Sequence, residues 1–403
     1  MYTRVLKHPH LAVWCVAYVT ARLPVAMAPL GLVFYTKSAT GSFAWGALVA
    51  GAQTTGEALG APYFGSRFDR RSNASELRLT LLVSIALLSA MTAPAAHAPL
   101  VLAGLAALYG AVSSGIPGAL RAALVSAVPE DLRAAALGLE TVLNQSVWAV
   151  GPLIASWLSS AAPVGIILTM AASSLVPVTC ARRLPRRAPH RAAGPGDDAR
   201  RPRRVSFLVR ALMLPLGIGV ASNFVISVAE VGAPARLTEL NVEAGFAGVL
   251  LAGFAVGSVL GGFLYGYVKP PVRAAQRCYV LLAALSAALL PAAVPGPTWQ
   301  LVCAFCAAGL ISGPLFTARN HALQNTADER DWGVAFSALY SASSLGYGLA
   351  GVATALLLGP LGAGYTLLLA LCATMLVAAI AALKGRGSRT TVSAREPDVG
   401  RVL

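Results

Sequence analysis

The chain has 403 residues, of which 57% are hydrophobic and only 12% are charged. Soluble domains carry roughly twice that share of charged residues, so the composition excludes an ordinary soluble globule and predicts an integral membrane protein. The net charge of +15 does not indicate a nucleic-acid partner, because the basic residues lie between apolar blocks, where they orient a membrane protein.

Twelve apolar blocks follow one another along the chain. Each is long enough to cross a bilayer as an α-helix, in which the backbone satisfies its own hydrogen bonds. The predicted helices cover residues 11–35, 42–64, 77–96, 100–120, 136–159, 163–181, 207–231, 245–268, 278–295, 298–318, 332–358 and 361–383. An even number of crossings puts both termini on one side, and their basic flanks place that side in the cytoplasm. We expect a multi-pass protein of the cell membrane, embedded in the lipid bilayer, with cytoplasmic N- and C-termini.

The twelve predicted helices divide into two groups of six. Residues 182–206 between them are rich in Arg, Pro and Gly, which indicates a flexible, basic cytoplasmic linker. We therefore predict an N-terminal six-helix bundle over residues 1–181, a C-terminal six-helix bundle over 207–383, and a cytoplasmic tail over 384–403.

The two predicted bundles resemble each other in sequence. Three residues of the first half recur in the second at an offset of about 200 positions: Gly115, Arg121 and Arg133 correspond to Gly313, Arg319 and Arg330. Six crossings return the chain to its starting side, so a duplicated six-helix unit keeps its orientation. The predicted fold class is an all-α integral membrane protein with twelve transmembrane helices in two pseudo-symmetric bundles.

The turn after the second predicted helix carries the most specific motif. It reads Gly65-Ser66-Arg67-Phe68-Asp69-Arg70-Arg71. Its Gly65, Asp69, Arg70 and Arg71 are similar to the loop signature of the major facilitator superfamily of secondary transporters, Gly-x-x-x-Asp-Arg followed by Gly and basic residues, and Ser72 and Asn73 depart from it. Together with topology, repeat and linker, the resemblance covers nearly the whole chain.

The resemblance implies specific roles. In the family, the aspartate of this loop steadies one state of the transport cycle against the N-terminus of the eleventh helix, so Gly65, Asp69, Arg70 and Arg71 would form a cytoplasmic gate loop. Gly151-Pro152 resembles part of the family's antiporter signature and favours export. The arginine that many proton-coupled drug exporters carry in the middle of helix four is absent, since Arg121 lies at the cytoplasmic end.

Arg22 and Glu57 are the sharpest candidates for a polar site inside the membrane. Arg22 lies roughly 16 Å from the cytoplasmic end of the first predicted helix, where an unpaired charge is strongly disfavoured. Glu57 lies in the adjoining antiparallel helix, with Gln53 one turn away on the same face. We expect an Arg22–Glu57 ion pair that lines a cavity, with Glu57 as the titratable carboxylate. The alternative is an ion pair that only orients helices.

Further polar and aromatic residues fall within the predicted helices. Asn144 is a candidate substrate contact, whereas Glu140 is expected to be solvated near the cytoplasmic end. Asn223 is a polar residue of the seventh predicted helix and so a further candidate for the cavity. Tyr340 and Tyr347 share one helix face and suit a flat amphipathic ligand, or else pack in the core.

The glycines of the second and eighth predicted helices predict close helix packing. They form small-residue stripes at Gly56 and Gly60, and at Gly253, Gly257 and Gly261. Such stripes let helix backbones approach each other, and both stripes are candidates for the contact between the two bundles.

These features together predict a secondary active transporter. We expect proton-coupled efflux of a small organic molecule, a drug or natural product, by alternating access in an antiporter. The alternatives are an uptake symporter for a small polar solute such as a sugar or amino acid, and a non-transporting membrane sensor. The sequence carries no nucleotide-binding loop, zinc signature or nucleophile triad, so we expect neither an enzyme nor a cofactor or metal. The expected partners are the substrate, protons and lipid, and a monomer is sufficient.

Overall fold

The computed structural model describes residues 11–70, 74–93, 98–129, 132–181, 212–265, 274–327 and 332–387. The linker predicted at 182–206 lies outside these ranges, as do Arg71 and most of the predicted tail. Nearly all described residues are helical.

Seven helices make up the N-terminal bundle. They are α1 (Leu11–Thr40), α2 (Phe43–Arg70), α3 (Ala74–Met91), α4 (Pro99–Ser113), α5 (Ile116–Ala127), α6 (Arg133–Ala161) and α7 (Pro163–Cys180). Two residues separate α4 from α5, and together they make one crossing over Pro99–Val125. The bundle therefore has the six predicted crossings.

Five longer helices make up the C-terminal bundle. They are α8 (Met213–Glu239), α9 (Ala247–Tyr265), α10 (Ala274–Ala293), α11 (Thr298–Gln324) and α12 (Trp332–Gly387). Gly362 interrupts α12 with φ 78° and ψ 170°, a conformation that is essentially open only to glycine. The apolar stretch Ala335–Ile380 within α12 has 46 residues, enough to cross the membrane twice.

The break at Gly362 is held by a carboxylate. Glu239, the last residue of α8, accepts hydrogen bonds from the backbone N–H groups of Ala363 and Gly364 at the start of the second arm of α12. Arg236 Nη1 lies 2.9 Å from Glu239 Oε2. A carboxylate at a helix N-terminus satisfies unpaired N–H groups and interacts favourably with the helix dipole.

Hydropathy and length alone identify nine membrane-spanning candidates among the described residues. The longest of these, Ala335–Ile380, crosses twice. Helices α2 and α6 are long enough but are not among the nine, because they carry polar residues such as Glu57 and Glu140. Counted with them, the chain is a multi-pass membrane protein with the twelve-helix, two-bundle architecture that the sequence predicts.

Helix α8 extends beyond the C-terminal boundary that the sequence predicts. The prediction ended this crossing at residue 231, but the helix continues to Glu239. It can continue because the buried Arg236 has partners: its Nε donates to the carbonyl oxygen of Ala292 at 3.0 Å, and its Nη1 pairs with Glu239. Glu230 consequently lies inside the bundle instead of at its surface.

Candidate functional site

A cavity of about 230 Å³ opens between α6 of the N-terminal bundle and the helices of the C-terminal bundle. Aromatic and aliphatic side chains make up most of its wall, with a few polar groups among them, the usual composition of a small-molecule site. The wall includes Gln145, Trp148, Pro152, Asn223, Glu230, Leu251, Phe254, Ser258, Leu289, Phe305, Phe316 and Tyr347.

One polar pair lies in the cavity wall. The hydroxyl of Tyr347 on α12 donates a hydrogen bond to Oε2 of Glu230 on α8. Ser227 Oγ donates to the carbonyl oxygen of Tyr347 at 3.2 Å and ties the same two helices together. Both Glu230 and Tyr347 are buried.

Glu230 is a site residue that the sequence prediction missed. The predicted crossing ended at residue 231, which put Glu230 at its very end, and the residue was not among the candidates. One signal was available: Glu230 follows Asn223 by seven residues, which puts both on one helix face. The structure places the predicted residues Asn223 and Tyr347 in this same wall.

The predicted Arg22–Glu57 ion pair is wrong. Arg22 is buried and directs its guanidinium to α6, where Nε and Nη2 donate to Asn144 Oδ1 at 3.1 and 2.9 Å. The described residues show no ion pair between Arg22 and a carboxylate. The amide oxygen of Asn144 therefore holds the arginine without neutralising its charge.

Glu57 instead joins the two bundles. Gln53 Nε2 donates to Glu57 Oε1 at 2.9 Å, and the hydroxyl of Tyr340 on α12 donates to Glu57 Oε2 at 3.3 Å. The Glu57 residue is 6% exposed. The predicted residues Gln53, Glu57 and Tyr340 thus form one cluster on the α2–α12 contact, and none of them lines the 230 Å³ cavity.

The expectation that Glu140 is solvated is also wrong. Glu140 is 2% exposed, and Arg121 Nε contacts its two carboxylate oxygens at 2.9 and 2.8 Å. The hydroxyl of Tyr18 lies 3.3 Å from Glu140 Oε1 and 3.5 Å from Asn144 Oδ1. A polar chain therefore runs from Arg121 through Glu140, Tyr18 and Asn144 to Arg22.

Glycines bring the two bundles together toward one end of the molecule, which we call the Phe43 end after the start of α2. A Cβ added to Gly51 on α2 would lie 2.8 Å from Gly351 Cα and 2.9 Å from the Gly348 carbonyl oxygen on α12. A Cβ on Gly248 of α9 would lie 2.9 Å from the Pro152 carbonyl oxygen on α6. At both contacts the helix backbones touch almost directly.

The predicted small-residue stripes pack elsewhere. A Cβ on Gly56 or Gly60 would meet the α4 backbone at Ala107 or Ala111, inside the N-terminal bundle. The stripe on α9 packs on α11, inside the C-terminal bundle: Gly257, for example, faces the Cys306 carbonyl oxygen. The suggestion that these stripes join the two bundles is wrong.

Toward the opposite end, which we call the Arg67 end, each bundle has its own apolar cluster. Buried Trp14, Leu81 and Leu120 belong to a cluster drawn entirely from the N-terminal bundle. Buried Leu323 and Leu339 belong to one drawn entirely from the C-terminal bundle. The glycine contacts between bundles lie toward the Phe43 end, whereas the cores at the Arg67 end are separate.

The predicted gate loop lies at the Arg67 end. Gly65 belongs to α2, with open space where a Cβ would stand, while Arg71 and the side chains of Asp69 and Arg70 lie outside the described residues. Arg67 forms an ion pair with the buried Glu76 at the start of α3. This pair, which sequence reasoning missed, links the two helices on either side of the turn.

Comparison with solved structures places this fold among secondary transporters. The chain is similar to the nucleoside transporter NupG (TM-score 0.73, 12% identity, 93% of this chain and 99% of that chain). It is similar to a D-xylose-proton symporter (TM-score 0.68, 11% identity, covering 94% of this chain and 97% of that chain). It is also similar to a bacterial homolog of the human lysosomal transporter Spinster, in an inward-facing and occupied conformation (TM-score 0.68, 17% identity, covering 96% of this chain and 98% of that chain).

These identities establish the fold and no more. No protein-family model matches the chain, and no curated protein matches it by sequence. The chain has the transporter fold that its resemblance to the major facilitator superfamily predicts. What it carries, and in which direction, has to be argued from its own residues.

Proposed function

We propose that this protein is a secondary active transporter that exports a small organic molecule in exchange for protons, by alternating access. The observation that carries the proposal is a cavity whose wall includes both bundles, combined with bundles that are in close contact toward one end and have separate cores at the other. A site at the interface of two repeats is how such transporters expose a substrate to each side in turn.

The positive-inside pattern makes the Arg67 end cytoplasmic, so the cavity of this state would load from the cytoplasm. Export then requires the Phe43 end to open. The backbone contacts of Gly51 with Gly351, and of Gly248 with Pro152, would separate in that step. Packed interfaces of this kind favour two discrete arrangements over a continuous range.

The composition of the cavity favours an apolar organic molecule over a sugar. Phe254, Phe305, Phe316 and Trp148 supply broad aromatic surface, while the polar groups are few. A buried sugar would need a hydrogen-bond partner for each hydroxyl, since an unpaired buried polar group is costly. This wall therefore supports an amphipathic compound over a small polar solute as the substrate.

Glu57 is the proposed proton-coupling residue. It is buried at the α2–α12 contact and receives hydrogen bonds from Gln53 in its own bundle and from Tyr340 in the other. Protonation would remove the charge of Glu57 and so weaken the hydrogen bond that it accepts from the Tyr340 hydroxyl across the interface. The charge on Glu57 would thus bias the contact that must change during transport.

The test begins with a bacterial host depleted of its own exporters. Susceptibility to a panel of amphipathic aromatic antibiotics and dyes is compared with and without the protein, and any compound that becomes less toxic is then followed in proteoliposomes under an imposed pH gradient. We expect Glu57→Gln to lose pH-driven accumulation while it still binds the compound. The matched control is Glu243→Gln, at an exposed carboxylate between α8 and α9, which should behave as the wild type.

Two outcomes would contradict the proposal. If the wild-type protein moves no compound of the panel in cells or in proteoliposomes, export of amphipathic molecules is wrong. If Glu57→Gln transports with an unchanged dependence on pH, Glu57 does not couple protons.

A further inference from the structure

Arg319 on α11 is a cation without a carboxylate. Its Nη1 donates to Ser343 Oγ on α12 at 3.2 Å, and its guanidinium carbon lies 5.0 Å from the centre of the Phe316 ring. Its Nε is buried and has no hydrogen-bond partner. Among the residues that the structure describes, no acidic side chain pairs with it.

The corresponding arginine of the N-terminal bundle is neutralised. Arg121 occupies the equivalent place in the sequence repeat, and its Nε contacts both carboxylate oxygens of Glu140 on the next helix along the chain. In the C-terminal bundle, the next helix along the chain offers Arg319 only the hydroxyl of Ser343. Within the described part of the chain, the two arginines therefore differ by one carboxylate partner.

This asymmetry is unfavourable unless something compensates it. Arg319 is partly buried, and its Nε is fully buried. A charge removed from water is costly when it is unpaired, and neither a hydroxyl nor an aromatic ring supplies a counter-charge. The planar guanidinium matches a carboxylate in two parallel hydrogen bonds, and the partnerless Nε leaves one of those positions free. The group that would complete the site is an organic carboxylate.

Arg319 is within reach of the cavity. Phe316, one turn along α11, is part of the cavity wall and also carries the guanidinium against its ring. Gly219 on α8 faces the guanidinium, and a Cβ added there would lie 3.6 Å from Arg319 Nη1. Because residue 219 is a glycine, α8 places no side chain between its backbone and the guanidinium. One turn further along α8, Asn223 lines the cavity.

Glu230, the charged residue of the cavity wall, would orient such a ligand. Glu230 follows Gly219 by three turns of α8, a rise of roughly 16 Å. Its carboxylate would repel a ligand carboxylate at that end and favour the end at Arg319. Phe316, Phe305 and Phe254 provide aromatic surface for the apolar body of the ligand.

We propose that the substrate is an amphipathic organic acid whose carboxylate is bound by Arg319 and Ser343 while its apolar body occupies the aromatic cavity. This inference rests on the proposed transport function and names its substrate class. Arg319 is then a specificity-determining residue, since it distinguishes an acid from a neutral molecule of the same shape.

The test compares matched ligands on the purified full-length protein in lipid nanodiscs. A series of aromatic carboxylic acids, from benzoic to larger fused-ring acids, is measured against the corresponding carboxamides, which have nearly the same shape without the charge. The sulfonates of the same rings show whether the site requires a carboxylate or accepts any anion. We expect the best acid to bind at least about tenfold more tightly than its amide, as a charge-assisted hydrogen-bonded contact implies.

Two variants test the role of Arg319 from opposite directions. Arg319→Gln should remove the preference for the acid and leave binding of the amide unchanged. Ser343→Glu should rebuild inside the protein the arginine–glutamate pair that Arg121 and Glu140 form, and so exclude the acid while retaining the amide. The control is Lys37→Gln, at an exposed basic residue near the Phe43 end, which should not affect the preference.

The proposal is overturned if the wild type binds each acid and its amide equally, if it binds none of the acids, or if Arg319→Gln retains the preference. Proteoliposome flux separates this failure from failure of the transport function. If the wild type moves neutral or cationic compounds, and Arg319→Gln moves them equally well, transport stands and the preference for acids is wrong. If the wild type moves no compound at all, the transport proposal is wrong as well.

Discussion

Replacing Gly351 by alanine should open the Phe43 end. A Cβ at Gly351 would lie 2.7 Å from the Ala47 carbonyl oxygen and 2.8 Å from the Gly51 backbone nitrogen. Both neighbours are backbone atoms, so no side chain can rotate away. The Gly51 Cα lies closer still, so restoring ordinary van der Waals contact requires α2 and α12 to move apart by about 1 Å.

The expected magnitude follows from overpacking. Forcing a methyl group into a closely packed contact costs about 1–3 kcal/mol, and here only the state with the bundles in contact at the Phe43 end bears this cost. Alanine also stabilises a helix by about 1 kcal/mol relative to glycine. That gain cancels between the open and closed states if the residue is helical in both. The ratio of open to closed molecules should therefore rise about 5- to 150-fold.

Distances between spin labels measure this shift. Labels at Ser38 and Leu361, both exposed near the Phe43 end of their bundles, are introduced after replacement of the six native cysteines. We expect Gly351→Ala to raise the population at longer distances. A distance distribution that matches the wild type would refute the reasoning.

Two further glycines serve as controls for this prediction. Gly56→Ala overpacks α2 against α4 within one bundle, so it should lower thermal stability without changing the distance between bundles. A Cβ at Gly217 meets nothing within 4 Å, so Gly217→Ala should change neither quantity. If Gly56→Ala shifts the distances as much as Gly351→Ala does, the effect is general destabilisation.

Two predictions concern carboxylates outside the cavity. Glu140→Gln should lower the free energy of unfolding by about 1 kcal/mol. This is at the low end for breaking a buried ion pair, because the Arg121 side chain is 64% exposed. The control is Ser146→Ala, at an exposed residue of the same helix, and equal thermal midpoints for the two variants would contradict the prediction. Glu239→Ala removes the cap of the second arm of α12 and should cost about 1–2 kcal/mol. Hydrogen exchange at the Ala363 amide should then be faster, and unchanged exchange would show that the cap contributes little.

The fold class of this protein and its multi-pass character could be predicted from the sequence, because they depend on quantities local to the chain. A block's apolar length determines whether it can cross the bilayer, and basic flanks predict which side its ends face. The recurrence of Arg121 at Arg319 identified the repeat. Boundaries were less predictable, since α8 continues past residue 231 only because Arg236 finds partners on other elements.

The partners of the polar residues were decided by the tertiary structure. Successive residues of a helix point about 100° apart, so a small rotation or tilt determines which neighbour a side chain meets. This is why Arg22 contacts Asn144 instead of Glu57, although both were recognisable as intramembrane polar residues. Gly51 and Gly56 look alike in sequence, yet one touches the other bundle and the other packs within its own, because helix packing assigns each face its partner and the linear pattern does not.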